Sequence, residues 1–270
     1  MSRHRGSARV GGLVLAAGAG RRFGGPKALA ELDGERLVDR AVRVLSLGGA
    51  DPVLVVLGAA VVDVPGADAV VVNADWEQGM GSSLRAGLAA PELAGCGAVV
   101  VLLVDQPGIR TAAVRRLLAA YDDGADLAVA TYAGERGHPV LLGRDHWAEV
   151  AQAADGDVGA KPYLLTHAAA VVEVGCDGDA RDTDTPAELA GRGILGRIAG
   201  DAAAGGAALS GGLSAGLGEL GALLGGAGAR AQLDEKASEV VRRQTTEARD
   251  EPRMTVDLDA GVARFRRDQG

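Results

Sequence analysis

Four short runs limit what this chain can fold into: Leu13 to Ala17, Pro52 to Gly58, Ala69 to Val72 and Ala98 to Val104. Each is apolar almost throughout, where a strand with one wet face would alternate apolar and polar residues. Unbroken runs of Val, Leu and Ala belong to strands buried on both faces. Helical spacing fills the gaps between them. Leu37, Ala41, Val42, Val44 and Leu45 repeat along one face and stop at Gly48-Gly49; Ser82 or Ser83 is placed to open a helix through Leu88; Thr111 is placed to cap another through Tyr121. Asp126 to Tyr132 reads as a further strand, Gly137 to Leu142 as a short extended piece, and Ala169 to Val174 as a last strand. Helices are expected near Arg144 to Ala153, through His167, and at Ala187 to Ala190 behind Pro186. Strand and helix in alternation predict an α/β fold, a Rossmann-like three-layer sandwich with a mostly parallel sheet.

In such sheets ligands gather where strands end. The first run ends in Gly18, Ala19 and Gly20, followed by Arg21, Arg22, Gly24, Gly25, Pro26 and Lys27. Glycines after a strand turn backbone amides toward a ligand, and the cations add positive charge around them. A loop of this kind suits a polyphosphate. A loose dinucleotide fingerprint is the rival, but the second run ends in Gly58-Ala59-Ala60, with no acid to hold a ribose. The chain has 28 Lys and Arg, of which only Lys27, Lys161 and Lys236 are lysines, so a lysine at position 27 points to a use for a compact ammonium.

Asp105 follows the most hydrophobic run, where a carboxylate is costly unless paired or metal-bound. Mg²⁺ takes one or two protein carboxylates together with phosphate oxygens, which makes Asp105 the metal candidate. Asp182 and Asp184 are the candidate second ligands, of which one is expected to reach the metal. Asn73, Ser82 and Ser83 offer neutral hydrogen bonds suited to a base or ribose, or else close a strand and cap a helix.

The composition excludes several classes. A net charge of -8 lacks the basic face of a nucleic-acid binder, and no apolar stretch approaches the length of a membrane span. Cys96 and Cys176 make no metal or redox spacing, so a cytoplasmic location is expected. Residues 1–9 read as a basic tail and 10–192 as the globular domain. Residues 193–228 read as a Gly/Ala-rich linker, with 229–270 a C-terminal extension, partly helical or disordered. Leu233, Ala237, Val240 and Val241, and then Leu258, Val262 and Phe265, stand at helical spacing there.

Taken together, the motifs resemble the molybdenum cofactor cytidylyltransferase branch of the MobA-like nucleotidyltransferases. The opening stretch Leu15-Ala16-Ala17-Gly18-Ala19-Gly20-Arg21-Arg22-Phe23-Gly24-Gly25-Pro26-Lys27 is similar to the family's first motif, with Gly20 where serine is usual and Phe23 where methionine is usual. Asn73 with Gly79-Met80-Gly81-Ser82-Ser83-Leu84 resembles the second motif. Leu103-Val104-Asp105-Gln106-Pro107 looks like the metal-aspartate motif, and Gly137-His138-Pro139-Val140 like the acceptor-side loop. Asp182-Thr183-Asp184-Thr185-Pro186 is similar to the family's Asp-Ile-Asp-Thr-Pro, and Lys161 stands where arginine is usual.

The resemblance covers residues 9 to 190 and implies a fold of the nucleotide-diphospho-sugar transferase type. It implies a Mg²⁺-dependent transfer of a nucleoside monophosphate to a phosphorylated acceptor such as molybdopterin, with a molybdenum enzyme as a possible partner. Lys27, Arg22 and Asp105 would be catalytic. Leu15 to Arg21, Asn73, Gly79, Ser82, Ser83, His138 and Lys161 would bind substrates. Alanine at position 17 points to CTP, guanylyltransferases tending to carry glycine there. The guanylyltransferase and an NAD(P)H-dependent oxidoreductase related to nicotine-dye reduction are the alternatives.

Overall fold

The computed structural model describes residues 8–193 and the backbone of two further segments, 254–257 and 262–265. By internal contacts, the described residues belong to one unit. The expected linker, and the part of the extension read as helical around Leu233 to Val241, lie outside the described residues.

The strands are β1 (Arg9–Leu15), β4 (Val53–Leu57), β5 (Ala69–Val72), β6 (Cys96–Leu103), β7 (Leu127–Tyr132), β8 (Glu135–Gly143) and β9 (Val171–Gly175), with a small separate hairpin of β2 (Glu31–Leu32) and β3 (Glu35–Arg36). The helices are α1 (Leu37–Gly48), α2 (Met80–Leu88), α3 (Thr111–Asp122), α4 (Trp147–Ala153) and α5 (Lys161–Thr166), followed by a helix over 186–193. In the sheet the order is β5-β4-β1-β6-β8-β7-β9. Neighbours run parallel except around β8, which is antiparallel to both β6 and β7.

Alternation along the central strands builds the three layers. Val14 and Ala16 of the first run, with Val100 and Leu102 of β6, face α1 and α3 through Leu45, Val114 and Leu117. Leu13, Leu15 and Ala17, with Val99 and Val101, face α2, α4 and α5 through Leu84, Val150 and Leu164. Both faces of the sheet are thus covered by helices, which is why the central strands read as continuous apolar runs. Among the described residues, no helix is long and apolar enough to cross a membrane.

Several expectations are corrected. The first strand ends at Leu15, and Ala16 and Ala17 already belong to the loop, though their amide and carbonyl still bond Val56 and Ala59. Neither Ser82 nor Thr111 caps a helix; Gly79 and Arg110 hold those positions without a side-chain bond. The expected short piece at Gly137 to Leu142 is part of the nine-residue β8, which joins β7 through Ala133 and Gly134, both at positive φ. In the extension, Met254–Asp257 (β10) and Val262–Phe265 (β11) are strands, where the spacing of Val262 and Phe265 had suggested helix. β11 pairs antiparallel with β5, Val262 opposite Val71 and Ala263 opposite Val70. The open edge of β5 supplies backbone partners that override a weak local pattern, and the pairing leaves β10 at that edge of the sheet.

Candidate active site

The carboxyl ends of β1, β4 and β6 are stitched together: Val104 donates its amide to Leu15 O at 3.2 Å, and Ala59 donates to Ala17 O at 2.9 Å. At this edge the run Leu15–Arg21 forms one wall of a cavity of about 400 Å³, with Lys27, Gly79, Ser83 and Asp105 around it. The glycine loop folds on itself. The amides of Gly24 and Gly25 both donate to Gly20 O, and Gly20 sits at φ +60. A Cβ on Gly20 would lie 2.0 Å from Gly25 O, so this loop has no room for a serine there.

Lys27 lies between two carboxylates. Its Nζ donates to Asp105 Oδ2 at 3.1 Å and to Asp184 Oδ1 at 2.8 Å, with the side chain 13% exposed. Burial pulls the ammonium pKa down, but the hydrogen bond to Asp184 and the charges of both carboxylates carry it above its ordinary value. The carboxylates respond differently. Burial outweighs Lys27 at Asp105 and raises that carboxyl, whereas the Lys27 hydrogen bond holds the more open Asp184 below its usual range. Asp105 Oδ1 is buried with no hydrogen-bond partner among the described residues. Arg22, 85% exposed, reaches Asp184 Oδ2 at 3.7 Å and is absent from the cavity wall.

Asp182 goes elsewhere. It lines a larger cavity, about 1110 Å³, and accepts a hydrogen bond from Gln106 Nε2 at 2.8 Å. His138 and Lys161 line the same cavity, whose apolar surface comes from residues such as Val101, Val129 and Leu164. Burial lowers the His138 pKa to about 4 against the opposing charge of Asp182, so its ring is neutral at physiological pH. Met80, Leu103 and Asp157 border both cavities, which makes them neighbouring compartments of one site.

Asn73 and Ser82 are buried and spend their groups on the loop. Asn73 Nδ2 donates to Ser82 Oγ and Ser83 Oγ, Asn73 Oδ1 accepts the Asp75 amide, and Ser82 Oγ sits within hydrogen-bond distance of Asp75 O and Gly79 O. Of the three, only Ser83 lines the cavity. Residues whose place sequence reasoning missed are Gln106, 8% exposed at the floor of the larger cavity, and Asp157, whose Oδ1 accepts the Met80 amide at the start of α2. The signal for Gln106 was its place inside Asp105-Gln106-Pro107, a polar side chain at the end of a fully buried strand. Trp76 rests on Gly58, where a Cβ would lie 2.5 Å from the Trp76 Cβ and 2.9 Å from that of Ala17.

Two carboxylates and one ammonium beside a glycine loop fit a triphosphate and a hard divalent cation. Among the described residues no group of three or more His, Cys, Asp or Glu is arranged to hold a metal by itself. Substrate oxygens would therefore complete the coordination.

Comparison with known proteins identifies the family. Residues 12–171 match the family described as the MobA-like NTP transferase domain. The chain is 36% identical over 195 residues to the nicotine blue oxidoreductase of Paenarthrobacter nicotinovorans, covering 67% of this chain and 94% of that one. It is 40% identical over 105 residues to the "Probable molybdenum cofactor guanylyltransferase" of Opitutus terrae, covering 38% of this chain and 51% of the relative. Among solved structures, Rv0371c of Mycobacterium tuberculosis superposes with a TM-score of 0.58 at 31% identity, over 70% of this chain and 98% of that one. The same protein has also been solved as a complex with manganese, matched here with a TM-score of 0.54 at 30% identity, over 69% of this chain and 98% of that one. With the sheet, the glycine loop and the family match in agreement, this chain is a nucleotidyltransferase belonging to the MobA-like NTP transferase family.

Proposed function

We propose that the chain transfers CMP from CTP to a phosphorylated acceptor of the molybdopterin or molybdenum-cofactor type and releases pyrophosphate, with Mg²⁺ as the metal. The observation that carries this reading is the Lys27 ammonium, held between Asp105 and Asp184 at the glycine loop. The loop amides and Lys27 take the triphosphate, and the exposed Arg22 swings onto the β- and γ-phosphates. Asp105 and Asp184 hold the metal. The unpartnered Asp105 Oδ1 and the 47% exposure of the Asp184 side chain suit that role, and both donors are hard oxygens. Bound Mg²⁺ supplies charge withdrawal from the phosphate oxygens.

The acceptor occupies the larger cavity. Arg136 and Arg181 there are tied to Glu173 and Asp179, whereas Lys161 has no ion-pair partner among the described residues and is left for the acceptor's phosphate. A phosphate nucleophile is already deprotonated, so the chain's contribution is positioning and electrostatics. Trp76 and the Ala17 methyl narrow the smaller cavity and favour a pyrimidine base over a purine. The product is then passed to a molybdenum enzyme in the cytoplasm.

The test is pyrophosphate release from CTP, GTP, ATP and UTP, with molybdopterin and sugar phosphates as acceptors, in Mg²⁺ and in Mn²⁺. CTP with molybdopterin is expected to be fastest in Mg²⁺. Preference for GTP would transfer the reading to a guanylyltransferase, and no consumption of any triphosphate would refute it.

The 36% identity to nicotine blue oxidoreductase favours a second reading, an NAD(P)H-dependent reduction. Against it, β4 ends at Leu57 and runs into Gly58-Ala59-Ala60, with no acidic side chain for a ribose. Saturable NADPH binding in EDTA, without metal-dependent triphosphate turnover, would favour the oxidoreductase.

A further inference from the structure

The larger cavity has a polar edge that nucleotidyl transfer itself does not use. Gln106 is buried, donates Nε2–H to Asp182 Oδ1 at 2.8 Å, and leaves its own Oε1 with no partner. Asp182 is exposed to the cavity and makes no other hydrogen bond among the described residues. The hydrogen bond between the two side chains sets two acceptor groups side by side, the carbonyl of an amide and the second oxygen of a carboxylate. Beside them the His138 ring makes no hydrogen bond among the described residues, and being neutral it can donate without adding charge. Val101, Val129 and Leu164 give the wall apolar surface, while Arg136, Lys161 and Arg181 also line the cavity.

We propose that Gln106 and Asp182 are the specificity-determining residues for the acceptor, reading a pair of adjacent N–H donors on a flat ring. This inference rests on the larger cavity being the acceptor compartment. Paired acceptors select an amidine-type edge, an amino group on the carbon next to a ring N–H, and reject a ring with a carbonyl at that carbon. The basis is the asymmetry of hydrogen bonding: a matched donor gains modestly, while a carbonyl set against a carboxylate leaves both oxygens desolvated and unpaired. The apolar wall takes the ring faces, and His138 donates to a carbonyl on the far side of the ring N–H.

The division of labour follows from chain geometry. Thr183, fully buried, separates Asp182 from Asp184 and donates its amide to Asp105 O at 2.8 Å. One carboxylate is thereby committed to Lys27 and the other to Gln106.

The test uses the full-length protein and two fluorescent probes, 6-carboxypterin and 6-carboxylumazine. They differ in an amino group against a carbonyl at the same carbon. The pterin is expected to bind at least tenfold more tightly. Asp182→Asn puts an amide donor where the carboxylate was, and is expected to bring the ratio to about one or invert it. Gln106→Met is expected to weaken the pterin at least fivefold while leaving the lumazine within twofold, with melting temperature recorded as the check on folding. Equal binding of both probes by the unaltered protein, no saturable binding of either, or a ratio that survives Asp182→Asn would each overturn the proposal. The ratio for the unaltered protein decides the question even where a variant fails to fold. Metal-dependent pyrophosphate exchange on the same preparation separates the two readings. Exchange without probe discrimination sinks only the assignment of Gln106 and Asp182; discrimination without triphosphate use sinks the transfer reaction.

Discussion

Replacing Lys27 with methionine keeps most of the side-chain volume and removes the charge between Asp105 and Asp184. The Asp105 side chain is 25% exposed, so the orphaned carboxylate stays mostly out of water. Breaking such a pair costs about 3–5 kcal/mol when fully buried, and less here because Asp184 can turn to solvent. Protonation sets a ceiling: neutralising a carboxyl of ordinary pKa at pH 7 costs about 4 kcal/mol, after which no further penalty accrues. The expected loss is therefore about 2–4 kcal/mol near pH 7.5.

The sign of its pH dependence follows from both carboxylates. Asp105 already has a folded pKa above its unfolded value, and without Lys27 it rises further, so the penalty grows as pH climbs above 4. Asp184, held below its ordinary value by Lys27, contributes stability that is present above about pH 4 and lost as pH falls through its lowered pKa. The variant removes that contribution too. The penalty should shrink by about 1.4 kcal/mol per pH unit on acidification and fall below about 1 kcal/mol near pH 4.5. Urea unfolding at pH 4.5, 6 and 7.5 measures it. Lys27→Met combined with Asp105→Asn should regain most of the stability at pH 7.5, yet pyrophosphate release should stay about 10²–10³-fold down. A stability loss independent of pH, or a single variant with full turnover, would refute the reasoning.

Gly20→Ser restores the residue usual in the family but drives a Cβ into Gly25 O at a positive φ; it should cost about 1–3 kcal/mol and raise the triphosphate KM at least tenfold. Gly58→Val pushes Trp76 off its seat, so nucleotide affinity should fall at least tenfold while probe binding in the larger cavity changes less than twofold; calorimetry with a nonhydrolysable CTP analogue reads the first effect. His138, whose folded pKa of about 4 lies below its unfolded 6.5, binds its proton more weakly when folded, so stability is lost as pH falls through that window. His138→Gln should flatten the stability curve between pH 6.5 and 4 by at most about 3 kcal/mol, read by urea unfolding.

Much of this architecture is legible because buried parallel strands leave an unmistakable composition. Leu13 to Ala17 and Ala98 to Val104 announce the two central strands, and Gly18, Asp105 and Lys27 mark where their carboxyl ends meet. Pattern reading fails where a tertiary partner decides the outcome. Ser82 and Thr111 have cap chemistry, but Gly79 and Arg110 occupy the cap positions because the backbone enters each helix a residue or more earlier. Asn73 looks like a ligand group at a strand end, and only the positions of Ser82, Ser83 and the Asp75 amide reveal it as the brace of its own loop. Val262 and Phe265 show helical spacing, yet the free edge of β5 draws them into a strand. Gln106 and Asp157 carried no spacing signal, since what defines them is a cavity assembled from segments far apart in the chain.

The stretch Asp182-Thr183-Asp184 shows why backbone path matters more here than residue type. Two identical carboxylates two positions apart give no chemical reason to treat them differently. The buried Thr183 supplies a geometric one: it anchors the segment, which is not part of a strand, to Asp105 O, and its two neighbours reach different partners. Asp184 joins Lys27 and Asp105, where two carboxylates share one ammonium within a compartment suited to phosphates and metal. Asp182 meets Gln106 and faces a largely apolar cavity, where one unmatched oxygen has far more influence on what can bind. In the proposed reaction these compartments hold the two substrates, and Asp105 is the shared post, binding Lys27 through its side chain and Thr183 through its carbonyl. A shift of Thr183 would move both carboxylates at once. Donor recognition and acceptor recognition are therefore expected to fail together when this segment is disturbed, and separately when Lys27 or Gln106 is changed alone.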